Sequence, residues 1–108
     1  NNMIATFKEL QQKWGDIERD KLSFDEELTY VNDWYDLGKN LPTKPFDPNF
    51  TDYNKYKGQN FTIEGTVSHA TDGVVLENLP MWKIKMPDGE ILWADCSEIF
   101  DWEKIENE

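Results

Sequence analysis

The stretch Met81-Trp82-Lys83-Ile84-Lys85-Met86-Pro87-Asp88-Gly89-Glu90-Ile91-Leu92-Trp93-Ala94-Asp95 constrains this chain more than any other. Two alternating apolar runs flank Asp88-Gly89, and glycine supplies the positive φ that a tight hairpin turn needs. With Asp88-Gly89 as the loop, Pro87 faces Glu90, Met86 faces Ile91, Ile84 faces Trp93 and Trp82 faces Asp95. That register predicts a core face of Trp82, Ile84, Met86, Ile91 and Trp93. Lys83, Lys85, Leu92 and Ala94 then form the outer face.

Before the hairpin, the periodicity is first helical and then extended. Ile4, Phe7, Leu10, Trp14 and Ile17 recur at spacings of three and four, which predicts an amphipathic helix over 3–19. Gly15 weakens its end by roughly 1 kcal/mol relative to alanine. Ser23-Phe24-Asp25-Glu26 reads as a capping box opening a second helix, with Phe24, Leu28, Val31, Trp34 and Tyr35 as its stripe and Gly38 as a left-handed C-terminal cap. Pro42, Pro45 and Pro48 break regular structure in 41–57, and Phe46, Phe50, Tyr53 and Tyr56 fasten that connection to the body. From Gly58, Phe61, Ile63, Gly65 and Val67 alternate as a half-buried strand. A turn at Thr71-Asp72-Gly73 and a short strand at Val74-Val75-Leu76 follow. Residues 96–102 read either as a helical turn capped by Ser97 or as a return strand with Phe100 and Trp102 inward.

The expected fold class is therefore α+β, in one domain spanning 1–108. A helical hairpin (1–40) is joined through 41–57 to a small β unit (58–108). The spacing of short strands over 58–105 resembles an SH3-like barrel; an open antiparallel sheet covered by the helices is the alternative.

Chemistry-bearing residues are sparse. His69 is the only histidine and sits in a polar turn, where it reads as an exposed loop residue. Cys96 is the only cysteine, too far in sequence from His69 to imply a nucleophile–base pair, and reads as a structural thiol. The six glycines never cluster into a phosphate loop, and no zinc, EF-hand or nucleophile-elbow spacing occurs. No enzyme activity, metal or cofactor is expected. No apolar run approaches the roughly 18–20 residues that span a bilayer. With no leader legible and a lone thiol, the expected compartment is the cytoplasm.

Charge is the loudest global signal. Twenty-two acids against eleven bases give −11, which repels nucleic acid and anionic membrane and attracts basic protein surfaces. Residues 87–108 hold eight of those acids and a single base, Lys104. Two acidic strips are expected: Asp25, Glu26, Asp33 and Asp36 on the second helix, and Asp88, Glu90, Asp95, Glu98, Asp101, Glu103 and Glu106 after the turn. Rows of carboxylates on a rigid body can meet the Lys/Arg grooves that otherwise meet rows of phosphates. Tyr53, Tyr56 and Trp102 are candidate aromatic anchors.

In size, acidity and lack of a catalytic constellation, the chain resembles small phage-encoded inhibitors of the DNA-mimic and anti-CRISPR type. That resemblance implies a basic partner, a nuclease or other nucleic-acid-binding protein, met in the host cytoplasm. The alternative is an SH3-like accessory module docking a peptide or subunit through an apolar groove flanked by acids.

Overall fold

The computed structural model describes residues 3–106; the outer ends of the expected domain, 1–2 and 107–108, lie outside the described residues. The fold is α+β. Helices α1 (Phe7–Trp14) and α2 (Phe24–Gly38) precede strand β1 (Thr62–Thr66), the short helix α3 (His69–Asp72), strands β2 (Trp82–Lys85) and β3 (Ile91–Ala94), and the short helices α4 (Cys96–Ile99) and α5 (Trp102–Glu106). The strands form an open antiparallel meander in the order β1-β2-β3, not a barrel. Sheet pairing among the described residues stops at three strands because Val74-Val75 leads into a 3-10 turn, Leu76–Asn78, in place of the expected strand.

Helix α1 is shorter than its periodicity predicts. The Thr6 hydroxyl accepts from the Glu9 amide to open it, and the helix stops before Gly15. Ile17 lies beyond it and is exposed. Helix α2 opens on the expected capping box, with the Ser23 hydroxyl accepting from the Glu26 amide and the Glu26 carboxylate accepting from the Ser23 amide at 2.9 Å. Its end differs from expectation. Gly38 is the last helical residue and Lys39 caps with right-handed geometry. Space, not a left-handed turn, calls for this glycine: a Cβ on it would stand 3.0 Å from the Trp82 ring.

The two helices lie side by side in opposite senses, as Phe7 against Trp34 and Trp14 edge-on to Tyr30 at 5.4 Å show. Trp82 joins them to the sheet. Its ring meets Tyr35 edge-on at 5.5 Å and Phe100 edge-on at 4.9 Å, and it is buried with Leu37, Ile84, Met86, Ile99 and Phe100. The Tyr35 hydroxyl reaches past it to the carbonyls of Val67 and Met81 and clamps the end of the β1–β2 ladder.

The hairpin forms in a register one residue away from the expected one. Trp82 faces Ala94, Ile84 faces Leu92 and Lys85 faces Ile91. Met86 donates to the Glu90 carbonyl and Gly89 donates to the Met86 carbonyl, so the loop is Pro87-Asp88-Gly89, with only Gly89 at positive φ (91°). This is a type I turn followed by a left-handed glycine, and proline suits its first corner. A two-residue primed loop would have placed Asp88 at positive φ as well. The single-residue slip exchanges the faces of β3. Leu92 and Ala94 enter the core, while Ile91 and Trp93 are 45% and 43% exposed.

A Cβ added at Gly89 would meet nothing within 4 Å, so Gly89→Ala tests conformation alone. It is expected to cost about 1–2 kcal/mol, the left-handed penalty of an L-residue, read as a lower urea midpoint with an unchanged slope.

Alternation in β1 is likewise only partly realised. Val67, just past the strand, is fully buried, but Ile63 is 39% exposed and the register shifts between Ile63 and Gly65. This is an edge strand with a bulge, which blunts periodicity. At the C-terminal side, Asp95 and not Ser97 caps α4. Phe100 then bridges to Thr43, with Lys44 donating to the Ile99 carbonyl and Asp101 to that of Pro42.

Candidate partner-binding surface

The proline-rich connection is a strap along the outer edge of β3. Its neck is closed by Phe46 donating to the Gln59 carbonyl and Gly58 donating to that of Phe46, the close-ended geometry of an Ω-loop. One end is fastened just after β3: the Asn49 side-chain amide donates to Asp95 (3.2 Å) and Ser97 (3.0 Å), and its backbone amide donates to Glu98 (2.9 Å). The other end is fastened just before β3, where the buried Tyr56 hydroxyl donates to Asp88 at 2.8 Å. Between these ties a 3-10 helix, Thr51–Tyr56, follows the last proline. Phe50 is 66% exposed and Tyr53 40%. The strap thus exposes Phe50 and Tyr53, and β3 exposes Ile91 and Trp93 on the outer sheet face, opposite Lys85 and Lys83. Asp52 lies between Phe50 and Tyr53 on the strap, and Asp88, Glu90 and Asp95 flank β3 in sequence.

The expected acidic strips are less continuous than their spacing implies. On α2, Asp33 turns inward: it is buried, pairs with Lys13 at 2.9 Å and accepts from the Trp14 indole at 2.8 Å. Asp36 is half-buried near Lys39, and Asp25 is exposed. Glu26, although exposed, is spent on the capping box, and the Ser23 amide and hydroxyl hold its carboxyl below the usual range. After the turn, Glu98 is buried at 5% exposure, its two oxygens accepting from the Asp95 and Asn49 amides. Asp95 caps Ser97 and Asp101 accepts from the Lys104 amide. Glu90, Glu103 and Glu106 remain exposed.

Of the three expected anchors, only Tyr53 is exposed. Tyr56 is buried, and Trp102 is half-buried, edge-on to Phe7 at 5.0 Å and to Trp34 at 6.0 Å, with its indole donating to the Cys96 carbonyl. Phe50, Ile91 and Trp93 are exposed where the sequence pattern places them on the body or in the core. Pro87 carries the signal for the last two, because it favours the loop length that turns them outward.

The remaining chemical groups are tied up locally. His69 is half-buried, not exposed, with Nδ1 2.8 Å from the Val74 carbonyl and its ring edge-on to Phe24. Burial, and then the neighbouring Asp95, push the Cys96 thiol up to about 11, so it stays protonated and weakly nucleophilic at neutral pH. Lys83 sits on the outer sheet face beside Trp93 (5.9 Å to the ring centre) but is paired with Asp72 at 2.9 Å. The Ser68 amide and Lys83 hold the Asp72 carboxyl below its ordinary range.

The Tyr56–Asp88 tie is measurable by titration. The bond to Asp88 raises the Tyr56 phenol, and the Glu90 amide followed by Tyr56 lowers the Asp88 carboxyl. Asp88→Ala is expected to return the Tyr56 phenol toward the ordinary value, seen by tyrosine-labelled NMR against pH. The linkage has two windows. The lowered carboxyl contributes stability above its unfolded pKa of about 3.9, lost as pH falls through its folded value. The raised phenol contributes stability below about 10, lost as pH climbs through its folded value.

Among the described residues no three metal-binding side chains converge, and no helix is long and apolar enough to cross a membrane. Compared with known protein families, with curated proteins and with solved structures, the chain finds no match in any of the three.

Proposed function

We propose that this protein binds a basic surface on a nucleic-acid-handling protein and blocks or modulates it, using the face built by β3 and the strap. The carrying observation is the exposure of Phe50 and Tyr53 on the strap and of Ile91 and Trp93 on β3, in a chain of net charge −11. Exposed aromatics on a fixed scaffold act as interface anchors because they bury much area at little entropic cost. The surrounding carboxylates supply long-range steering and select for a basic partner. The phage-inhibitor resemblance in size and acidity points the same way. Burial of Asp33 and Glu98 shifts the weight of this reading from two continuous strips onto the anchored face.

The test is capture on the immobilised chain from nuclease-treated bacterial lysate at about 0.1 M and about 1 M salt, where screening lengths are about 10 and 3 Å. The expected result is a nucleic-acid-binding protein held at low salt and released at high salt. The chain should compete with duplex DNA for it, and Trp93→Ala or Glu90→Lys should weaken capture at least tenfold. A captured protein that binds DNA and this chain together, or that ignores both substitutions, would sink the reading.

A further inference from the structure

A second binding feature lies at the seam of the helical pair. Helix α1 is eight residues long against fifteen in α2, and a cleft of about 310 Å³ opens between them. Phe7, Leu10 and Trp14 form its α1 wall, and Tyr30 and Trp34 its α2 wall. The early stop of α1 hands one end of the cleft to the connection, where Arg19 and the half-exposed Ile17 line it. Small-molecule sites begin at about 300 Å³ and are mostly apolar and aromatic, with a few polar groups that fix orientation.

Two properties of the lining define what fits. The first is an unused donor. Trp34 is 8% exposed, and among the described residues its indole N–H finds no acceptor. Its neighbours differ: the Trp14 indole donates to Asp33 at 2.8 Å, and that of Trp102 to the Cys96 carbonyl at 3.2 Å. A buried tryptophan N–H ordinarily has a partner, so this wall calls for an acceptor oxygen. The second property is charge. Among the described residues no carboxylate lines the cleft, and its one cation is Arg19. That guanidinium is committed: Nε pairs with Glu27 at 3.2 Å, a terminal nitrogen donates to the Leu76 carbonyl, and the group lies over the Tyr30 ring. A cationic ligand would sit beside Arg19 with no counter-charge. An anionic one would meet a cation already neutralised, in a chain whose net charge of −11 repels it. An uncharged ligand meets neither obstacle.

We propose that the α1–α2 cleft binds a flat, uncharged, mostly apolar small molecule whose carbonyl oxygen accepts from the Trp34 indole. The rings of Phe7, Trp14 and Tyr30 offer a flat molecule the edge-on and offset contacts that aromatic pairs prefer. The Trp34 N–H lies under the wall surface, so binding includes a small rotation of the indole toward the oxygen. A second copy of the chain would bring −11 against −11, a repulsive encounter. The cleft shares no residue with Phe50, Tyr53, Ile91 and Trp93, so this site stands or falls independently of the β3–strap face.

The probes are four fused bicycles of similar size, each titrated into the ¹⁵N-labelled full chain. Coumarin is neutral with a carbonyl acceptor, indene lacks the oxygens, coumarin-3-carboxylate is an anion and N-methylquinolinium a cation. Coumarin is expected to give saturable shifts, with the Trp34 indole N–H moving downfield and nuclear Overhauser contacts to Leu10, Trp14 and Tyr30. Indene and the two charged probes should bind at least tenfold more weakly. Trp34→Phe keeps a ring and removes the donor, so coumarin and indene should then bind alike. Its spectral dispersion shows whether it folds; if it does not, the comparison of the four probes on the unaltered chain decides alone. No shift with coumarin at about millimolar concentration, where even a Kd of 1 mM would register, would overturn the proposal. Shifts that leave the Trp34 N–H unmoved, equal binding of indene or of a charged probe, contacts confined to the β3–strap face, or sedimentation showing a dimer that buries the cleft would do the same.

Discussion

Trp82→Ala should lower the stability of this protein by about 3–5 kcal/mol, the usual cost of deleting a large buried aromatic side chain. A domain of this length holds only about 5–15 kcal/mol in total. Trp82 is 2% exposed and joins the sheet to helix and C-terminal segment, resting against Tyr35 from α2, Phe100 after α4, and Gly38, whose missing Cβ makes room for the indole. Each edge-on aromatic contact adds about 0.5–1.5 kcal/mol beyond area burial, and both vanish together. Little relaxation is available to fill the space, since Leu37, Ile84 and Phe100 are themselves fully buried. Urea denaturation followed by far-ultraviolet circular dichroism is the measurement. A loss below about 1 kcal/mol, the ordinary effect of a point substitution, would mean that helix and sheet are not joined through this ring.

Glu98→Ala is expected to cost about 2–3 kcal/mol, from two amide bonds to a buried carboxylate that are lost at once. The carboxylate closes the capping box on the Asp95 amide at 3.0 Å and holds the Asn49 amide at 2.9 Å, so one side chain starts α4 and fastens the strap. Glu98→Gln keeps one acceptor oxygen but turns an NH2 toward the other amide, and should recover only part of the loss. Hydrogen exchange separates the local from the global effect. In both variants the amides of 47–56 should exchange faster than those of β2, because the strap loses one of the three hydrogen bonds that hold Asn49. Exchange that rises uniformly would show that Glu98 supports the core and not the strap. Since Phe50 and Tyr53 ride on that segment, Glu98→Ala should also weaken partner capture, which connects a buried acid to the exposed face.

The chain's local chemistry was legible as written. Ser23 and Glu26 compete for no other partner and are three residues apart, so the start of α2 follows from sequence alone. Pro42, Pro45 and Pro48 likewise exclude regular structure by geometry, and Asp88-Gly89 marks a turn wherever the chain goes. The class of the fold follows too, because helical and alternating periods occupy separate halves. What local rules could not weigh was loop length. One residue more or less in the turn at 87–89 costs little locally, yet it decides whether Ile91 and Trp93 or Leu92 and Ala94 fill the core.

Tertiary structure alone also sorted the acids. Asp33 and Glu98 look no different from Asp36 and Asp101 in the sequence, but the first two find Lys13, Trp14 and the Asn49 amide across long loops and go inside. The glycine at 38 has the composition of a cap and the function of a gap, which only the approach of Trp82 from residues away could reveal. Sequence by itself determined where α2 begins, where the strap and the hairpin turn interrupt regular structure and that the protein is acidic, because caps, prolines and charge act over a few residues. Only packing decided which faces look outward and which carboxylates stay in water, because burial depends on partners that are distant along the chain.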